Sequence, residues 1–382
     1  MKALAYDRHG SIRKVMLVKS VPKPPPPDPS SVQISVKAAS LNPADHKTAS
    51  GDQALLIKFS WPRVVGFDFA GKIEAVHSSE TDFKVGDNVF GMINGLPQLH
   101  KGTVCEFINV PKDFVSLCPP VSVYDGKEEE LFQKCAALPL VGITALKMMK
   151  ACGMKAGETT NQSLRVLITG GSGGVGTMAI QLIHKYFEVP SSNIYTTVRG
   201  GTKTELCKKL GAGNCLDYTS QTPWDSSLVS SSFDQLFDVV LDLTDEASKC
   251  CKLLKPRHGR LCSILAGPTK EALREWIVES RICDRDVTVG VKKFLFSDVG
   301  GKAFELFSGA RKLKQAADKR GCEFYHVIGT GNKEMTDLLA TLLIEKKIEA
   351  VIDTLYSIDD AVEAITYQST GIKKGGKVVI SI

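Results

Sequence analysis

The chain lacks any hydrophobic run long enough to cross a membrane. Its longest apolar stretch, 136–149, is interrupted by a proline, a glycine and a lysine, and falls short of the ~18 residues that a spanning helix needs. The chain also begins with neither the apolar segment of a secretion signal nor an Arg- and Ser-rich presequence. We therefore exclude an integral membrane protein and expect a cytoplasmic location.

Cysteine motifs that hold zinc or exchange disulfides are missing as well. There is no C-x-x-C, and the seven histidines show no metal-like spacing. The eleven cysteines are scattered through apolar segments, which is typical of reduced thiols in a cytosolic protein. The net charge of +6 is mild for 382 residues, and basic clusters such as 311–320 are more often solvated helix faces than nucleic-acid surfaces.

Residues 164–176 combine a short apolar strand pattern with closely spaced glycines. A segment with helical apolar spacing, 178–187, and a second strand pattern, 193–198, follow it. A glycine-rich turn between strand and helix permits close approach of a dinucleotide pyrophosphate, whose charge the helix N-terminus favours. The alternative is a glycine-rich turn without a ligand. The predicted cofactor-binding residues of this loop are Gly171, Ser172, Gly173, Gly174, Val175 and Gly176.

The end of the second predicted strand indicates which dinucleotide binds. NAD sites usually place an acidic side chain there, whereas NADP sites place cations for the 2′-phosphate. The chain has Arg199 and Lys203 and no acid before Glu205. A T-x-x-E capping box from Thr202 to Glu205 predicts Lys203 in the first turn of a helix, where a cation is unfavourable unless an anion is close. We therefore predict NADPH; two solvated basic side chains are the alternative.

The composition changes along the chain. The first third has short β-like runs separated by proline and glycine, which predict a largely β domain. From Lys134 onwards helical and strand patterns alternate, as in a parallel sheet with crossover helices. The predicted strands of this sheet are 164–169, 193–198, 214–217, 237–242 and 259–265. The last predicted strands, 350–356 and 376–382, are expected to rejoin the first domain. The fold class is therefore α/β with a second, largely β domain.

Five motifs occur in the order found in one known family. They are Leu41–Lys47, Pro62–Gly71, Phe83–Gly91, Ala136–Ala145 and the glycine loop. With them the chain resembles the zinc-free quinone oxidoreductase branch of the medium-chain dehydrogenase/reductases, which includes zeta-crystallin, chloroplast-envelope quinone oxidoreductase homologues and reticulon-interacting reductases. The resemblance implies a GroES-like β domain, residues 1–135 and 349–382, with an inserted Rossmann doubly wound parallel sheet domain, residues 136–348.

The resemblance also implies that no metal is bound. In the family's alcohol dehydrogenases two Cys and one His hold a catalytic zinc, at places where this chain has Asn42, Phe67 and Val141. None of these side chains can replace a thiolate or an imidazole in a zinc site. Without a Lewis acid, alcohol oxidation loses the stabilisation of its alkoxide. The expected acceptor therefore carries its own electron sink, as a quinone or an α,β-unsaturated carbonyl does.

Catalytic candidates follow from the same resemblance. Asn42 is expected to hydrogen-bond the substrate carbonyl or the nicotinamide ribose, and Asp45 to fix that loop or to take part in proton relay. The structural alternatives are a turn residue for Asn42 and a helix cap for Asp45. Asp68, between two phenylalanines, is interpreted as half of a buried ion pair.

Further cofactor contacts are also implied by the resemblance. Thr144, at the start of a predicted helix, is expected at the nicotinamide end. Leu265 and Ala266 are expected beside the nicotinamide and Tyr218 near the adenosine phosphate. Lys374 is a candidate for the cofactor phosphate, with a solvated surface lysine as its alternative.

The predicted activity is a metal-free, NADPH-dependent reductase of quinones or activated enones, acting as a homodimer by family analogy. Two other classes stay open. One is an NADPH-binding redox sensor or partner-binding protein with little turnover, and the other is a nucleic-acid-binding protein of the zeta-crystallin kind. Residues 296–322 are longer and more basic than in the family, and the sequence assigns them no role.

Overall fold

The structure, a computed structural model, describes residues 1–51, 61–80, 82–94, 102–229, 235–265, 269–279, 310–371 and 374–382. Within these residues the strands are β1 Lys2–Tyr6, β2 Leu17–Ser20, β3 Ser31–Leu41, β4 Arg63–Val64, β5 Asp68–Val76, β6 Asn88–Met92, β7 Phe107–Pro111, β8 Val115–Leu117, β9 Val166–Ile168, β10 Ile194–Val198, β11 Asn214–Asp217, β12 Val239–Asp242, β13 Arg260–Ser263, β14 Glu323–His326, β15 Ile352–Ser357 and β16 Lys377–Ser381.

The helices are named here by their bounds. The described α-helices are Ile12–Val15, Pro43–Ser50, Glu128–Ala136, Pro139–Ala151, Gly174–Gln181, Thr202–Leu210, Ser226–Val229, Ala247–Cys250, Lys270–Glu279, Ala310–Asp318, Lys333–Ile344 and Ala361–Ser369. A π-helical turn, Leu182–Tyr186, prolongs the helix Gly174–Gln181. Short 3-10 turns are Lys112–Phe114, Val121–Tyr124, Thr159–Ser163, Ser191–Asn193, Cys251–Leu253 and Ile358–Asp360.

A seven-stranded sheet dominates the first of two compact units, whose described residues lie in Met1–Ile143 and Thr330–Ile382 and include Glu279. The sheet has the order β15-β16-β3-β5-β6-β8, and β7 also pairs with β3. Strand β16 runs antiparallel to β3, with Val378 opposite Leu41. The last strand of the chain therefore rejoins the first domain, as the sequence predicts.

A six-stranded parallel sheet forms the second unit, whose described residues lie in Thr144–Val278 and 310–329. Its strand order is β11-β10-β9-β12-β13-β14. This is the doubly wound Rossmann arrangement, in which the order reverses between β9 and β12 and ligands bind outside the carboxyl ends of the strands at that point. The predicted α/β class and the predicted parallel sheet are confirmed.

Unit boundaries differ from those expected at 136 and 349. The chain returns to the first unit at Thr330, because the segment before and in the helix Lys333–Ile344 bonds to the seven-stranded sheet. Gly331 N donates to Asn94 Oδ1 at 2.6 Å, and Ser116 Oγ donates to Lys333 O at 3.3 Å. The helix predicted to start near Thr144 begins at Pro139, so the change of unit falls inside that helix.

Membrane-spanning length is not reached by any single helix of the described ranges. Taken as a pair, the helices Glu128–Ala136 and Pro139–Ala151 have the length and the apolar composition of a spanning segment, with a bend of 44° at their junction.

Candidate functional site

The glycine loop after β9 is shaped by close backbone contacts in the second unit. A Cβ on Gly171 would overlap Thr196 Oγ1 on the neighbouring strand, and a Cβ on Gly176 would overlap Gly170 O. Gly170 itself has a positive φ of 69°, a conformation that glycine adopts at no steric cost. Gly171 thus leaves no room for a side chain because the turn packs against β10, and Gly176 leaves none because the turn packs against itself.

The residues between these two glycines are open to a ligand. Ser172, Gly173, Gly174 and Val175 are half-buried, whereas Gly171 and Gly176 are buried. The helix Gly174–Gln181 has Gly173 as its N-cap, so the cap supplies no side-chain acceptor for the first N–H groups. A helix N-terminus of this kind, reached by a backbone without side chains, fits a pyrophosphate. The loop thus leaves its backbone and the start of the helix accessible at residues 172–175.

Buried hydroxyl and carboxylate groups tie the carboxyl ends of the central strands together. Asp242, at the end of β12, accepts hydrogen bonds from Thr169 Oγ1 at 3.1 Å and from Ser263 Oγ at 2.8 Å. Thr169 Oγ1 in turn accepts from Leu243 N at 2.8 Å, and Asp242 also accepts from Glu246 N at 3.0 Å. These bonds fix the edge of the sheet beside which the glycine loop lies.

The cations expected to select NADPH lie at the end of β10. Arg199 is exposed, and Lys203 lies half-buried in the first turn of the helix Thr202–Leu210, as predicted. The predicted capping box from Thr202 to Glu205 is wrong. The N-cap is Gly201, which has a φ of 76°, and no side-chain hydrogen bond caps the helix. The first turn of this helix therefore has no capping side chain, while it carries a lysine where the dipole favours an anion.

Asp217, the last residue of β11, holds the turn that carries Arg199. A Cβ on Gly200 would overlap Asp217 Oδ2. The carboxylate accepts from Thr219 Oγ1 at 2.6 Å and from Thr219 N at 2.8 Å, and these bonds keep the pKa of Asp217 below its usual value. Tyr218 beside it is 47% exposed. Sequence reasoning missed this acid because it ends β11, two strands away from β9 and its glycine motif.

Three further residues of the second unit, Thr144, Leu265 and Ala266, are predicted to contact the cofactor. Thr144 is 4% exposed and lies within the helix Pro139–Ala151 rather than at its start, because that helix begins with a proline that provides the first-turn conformation. Leu265, two residues beyond β13, is 42% exposed, and its N donates to Ser263 Oγ at 3.2 Å. Ala266 lies outside the described residues.

A buried polar network surrounds Asn42 in the first unit. Asn42 Nδ2 donates to Asp68 Oδ2 at 2.8 Å, and Lys377 Nζ donates to Asn42 Oδ1. Lys377 Nζ also forms an ion pair with Asp68 Oδ2 at 3.2 Å, and the two side chains are 5% and 0% exposed. The ion pair expected for Asp68 is therefore present, and its partner Lys377 comes from the last strand of the chain.

The Asp68 carboxylate is held by further donors. Ser40 Oγ donates to Asp68 Oδ2 at 3.0 Å, and Leu140 N donates to Asp68 Oδ1 at 2.8 Å. A buried carboxylate is stable only when a cation and hydrogen-bond donors replace its lost hydration. Both kinds of partner are supplied here.

Asp45 fixes the start of the helix Pro43–Ser50. Its Oδ2 accepts from Asn42 N at 2.7 Å and its Oδ1 from Gly66 N at 2.9 Å. Complete burial raises the pKa of Asp45 to about 7, although these backbone bonds and Lys377 oppose the rise. Asp45 therefore caps the helix through Asn42 N, which is the structural alternative considered for it, and its bond to Gly66 N fixes the loop as well.

Lys377 was missed by sequence reasoning, which considered its neighbour Lys374 instead. Lys374 is exposed in the first unit, and its backbone N donates to Asp353 Oδ2 at 2.6 Å. Lys377 starts β16, and the next three residues of this strand, Val378 to Ile380, are apolar and wholly buried. A lysine at the head of a buried strand was the signal that could have identified it.

The zinc positions expected from the resemblance hold Asn42, Phe67 and Val141, which are buried at 2%, 8% and 4% exposure. Among the described side chains, no group of three His, Cys, Asp or Glu lies close enough together to hold a metal ion.

Two family models match the chain. The alcohol dehydrogenase GroES-like domain matches residues 28–120, and the zinc-binding dehydrogenase domain matches residues 210–380. Among solved structures, the quinone oxidoreductase from Coxiella burnetii superposes with a TM-score of 0.73 and 25% identity, covering 100% of this chain and 99% of the other.

Three of the curated relatives have names of reductases or oxidoreductases. The chain is 32% identical over 273 residues to the chloroplast envelope quinone oxidoreductase homolog of Arabidopsis thaliana, covering 70% of this chain and 76% of the relative. It is 29% identical over 390 residues to the 2-methylene-furan-3-one reductase of Solanum lycopersicum, with coverages of 100% and 79%. It is 28% identical over 283 residues to the NADPH-dependent alkenal/one oxidoreductase of Arabidopsis thaliana, with coverages of 72% and 65%.

Proposed function

Because the chain belongs to the quinone oxidoreductase branch of the medium-chain dehydrogenase/reductases, we propose that it is an NADPH-dependent reductase that transfers a hydride to quinones or α,β-unsaturated carbonyls. The observation that carries this proposal is the glycine loop, whose backbone is open at Gly173 and Gly174 above an uncapped helix N-terminus. The reductases among its relatives support the same reaction class.

The residues of the second unit fit NADPH. The loop 171–176 would hold the pyrophosphate, and Arg199 and Lys203 would hold the 2′-phosphate, because both are cations near the uncapped N-terminus of the helix Thr202–Leu210. Tyr218 is exposed near the same strand ends and would cover the adenosine side. We propose Thr144 and Leu265 for the nicotinamide side.

NADPH would supply a hydride when bound, and the acceptor takes up this hydride and then one proton from water. Hydride addition to a quinone or an enone places negative charge on the carbonyl oxygen, which a preorganised hydrogen-bond donor stabilises. We propose Asn42 for this role, because its amide is fixed by Asp68 and Lys377 in a nearly dry environment. Asp45 is proposed to hold the Asn42 backbone through its bond to Asn42 N.

The cofactor assignment is tested by following NADPH oxidation with para-quinones, ortho-quinones, enones and enals, with NADH as the paired cofactor. The variant Arg199→Ala/Lys203→Ala removes both cations. We expect the kcat/KM ratio of NADPH to NADH to fall ~10- to 100-fold, because each charge-assisted bond contributes about 1.5–3 kcal/mol in favourable geometry and less when exposed.

The matched control is Lys208→Ala, which removes an exposed lysine from the last turn of the same helix. This control is expected to keep the wild-type cofactor ratio. Equal use of NADPH and NADH by the wild-type chain would contradict the cofactor assignment. NADPH binding without oxidation by any acceptor would contradict the reductase and favour the sensor class.

Three finer proposals complete this function. Metal independence rests on Asn42, Phe67 and Val141 at the zinc positions, and stoichiometric zinc in the purified protein would contradict it. A homodimer is proposed from the family alone, and light scattering of the purified protein tests it. A cytoplasmic location is proposed from the thiol composition, and imaging of the tagged chain tests it.

A further inference from the structure

The ammonium of Lys377 lies among groups that come from distant parts of the chain. It contacts Asp68 Oδ2 at 3.2 Å and donates to Asn42 Oδ1, across sequence separations of 309 and 335 residues. Its side chain is 5% exposed, and Asn42 is 2% exposed. A lysine seldom occurs at such burial unless a specific partner requires its charge.

The contacts of Asn42 allow one orientation of its side-chain amide. Lys377 can only donate, and the carboxylate of Asp68 can only accept, so the amide oxygen must face Lys377 and the amide nitrogen must face Asp68. The structure shows this arrangement, with Nδ2 at 2.8 Å from Asp68 Oδ2. One N–H of Asn42 remains, and it makes no hydrogen bond to the described part of the chain.

The Asn42 backbone is fixed separately from its side chain. Asp45 accepts from both Asn42 N and Gly66 N, which anchors the loop whether or not Lys377 is present. The terminal torsion of an asparagine amide is broad and roughly two-fold. With the loop held, removal of the ammonium takes away the cation that holds the amide oxygen and leaves the bond from the amide nitrogen to Asp68, so the orientation of the amide is less firmly fixed.

We propose that Lys377 is a positioning residue that acts through Asn42: by holding the amide oxygen, it orients the free N–H of Asn42 as the donor to the carbonyl oxygen of the acceptor. The proposal deepens the reductase function and rests on it for the identity of the acceptor. Lys377 itself touches neither acceptor nor cofactor in this proposal.

The kinetic test is a double-mutant cycle of Lys377→Met and Asn42→Ala, read as kcat/KM for an enone at saturating NADPH. We expect Lys377→Met to lower kcat/KM ~10- to 100-fold in the wild-type background, in the range of losing one oxyanion donor. In the Asn42→Ala background the same change is expected to have less than a ~2-fold effect. The NADPH dissociation constant is expected to stay unchanged, and equal effects of Lys377→Met in both backgrounds would overturn the proposal.

A second pair of variants separates positioning from folding. Lys377→Met leaves the Asp68 charge without its cation, whereas Lys377→Met/Asp68→Asn removes both charges and keeps an oxygen that accepts from Asn42 Nδ2. We expect this double variant to unfold near the wild-type midpoint and to keep the low kcat/KM. Recovery of wild-type kcat/KM would mean that Lys377 only balances charge, and would overturn the proposal.

A readout that needs no turnover is the side-chain amide signal of Asn42 in protein labelled with ¹⁵N-asparagine, assigned by its loss in Asn42→Ala. We expect Lys377→Met to shift this signal and to speed its proton exchange, while Lys347→Met, which removes a half-exposed lysine of the same unit, leaves it unchanged. An unchanged signal in Lys377→Met would overturn the proposal. If the wild-type chain reduces no acceptor, the proposed function and the acceptor role of Asn42 fall, while this signal still decides whether Lys377 fixes the amide.

Discussion

The two units bury their key carboxylates in different ways. In the first unit Asp68 is 0% exposed and faces the ammonium of Lys377, so a full charge is balanced by a full charge. In the second unit Asp242 is also 0% exposed, but its partners are the hydroxyls of Thr169 and Ser263 and backbone N–H groups. It forms no ion pair with a described residue.

This difference predicts how each cluster responds to change. A buried ion pair depends on both partners, because removal of one leaves an uncompensated charge in a dry site. A carboxylate that is held by several neutral donors loses one hydrogen bond at a time. The Asp68 cluster should therefore respond to single changes steeply and the Asp242 cluster in small steps.

The steepest change is expected for Asp68→Ala, which leaves Lys377 buried without a counter-ion. We expect a loss of about 3–5 kcal/mol in the free energy of unfolding of the first unit, measured by urea titration. Asp337→Ala breaks the half-exposed pair of Lys333 and Asp337 in the same unit and is expected to cost about 0–1 kcal/mol. Similar losses for the two variants would contradict the prediction that the buried ion pair is the more costly one to break.

The pH dependence of stability should have opposite signs in the two units. Burial raises the pKa of Asp45 from 3.8 to about 7, so the folded state binds this proton more tightly than the unfolded state. Between these pH values the folded chain carries more protons, and stability contributed by Asp45 therefore falls as the pH rises. Lys377 and the N–H groups of Asn42 and Gly66 weaken the effect, and Asp68 strengthens it.

His326 in the second unit gives the reverse dependence. Burial lowers its pKa from 6.5 to about 4, and its Nδ1 has no hydrogen-bond partner among the described residues. The unfolded chain therefore takes up this proton first, and stability falls as the pH drops from about 6.5 to about 4.

The two variants Asp45→Asn and His326→Gln separate these dependences in urea titrations from pH 4 to 8. Asp45→Asn is expected to remove the loss of stability towards pH 7, and His326→Gln to remove the loss towards pH 4. A wild-type pH profile in both variants would contradict the shifted pKa values.

A smaller effect is expected for Thr169→Val in the neutral cluster of the second unit. The change keeps the shape of the side chain but removes one hydrogen bond to Asp242 and the acceptor of Leu243 N. We expect a loss of about 1–3 kcal/mol in the free energy of unfolding of that unit. A loss as large as that of Asp68→Ala would show that the neutral cluster is as interdependent as the ion pair.

The same contrast explains which features the sequence could predict. The glycine loop, the first-turn position of Lys203 and the strands of the parallel sheet depend on residues close in sequence, so spacing alone indicates them. Lys377 and Asp68 meet across 309 residues, because β16 pairs with β3 and β3 with β5. No local pattern encodes such a contact. The cap of the helix Thr202–Leu210 was misplaced because Gly201, with its positive φ, takes the N-cap position from Thr202.

Asp217 provides the finest test, because its half-buried carboxylate lies beside the turn that carries Arg199. Its carboxylate contacts the Gly200 turn and lowers the local potential beside Arg199, whose positive charge also helps to lower the pKa of Asp217. Asn at this position keeps an oxygen that accepts from Thr219 N and loses the negative charge.

We expect Asp217→Asn to raise the preference for NADPH over NADH ~2- to 5-fold, because the repulsion between this carboxylate and the 2′-phosphate is lost and solvent screens the rest. The ratio of the two dissociation constants, measured by nicotinamide fluorescence at low and high salt, checks this. The gain should shrink at high salt. A reduced preference for NADPH would mean that the charge of Asp217 acts mainly by holding Arg199 in place, and would contradict this prediction.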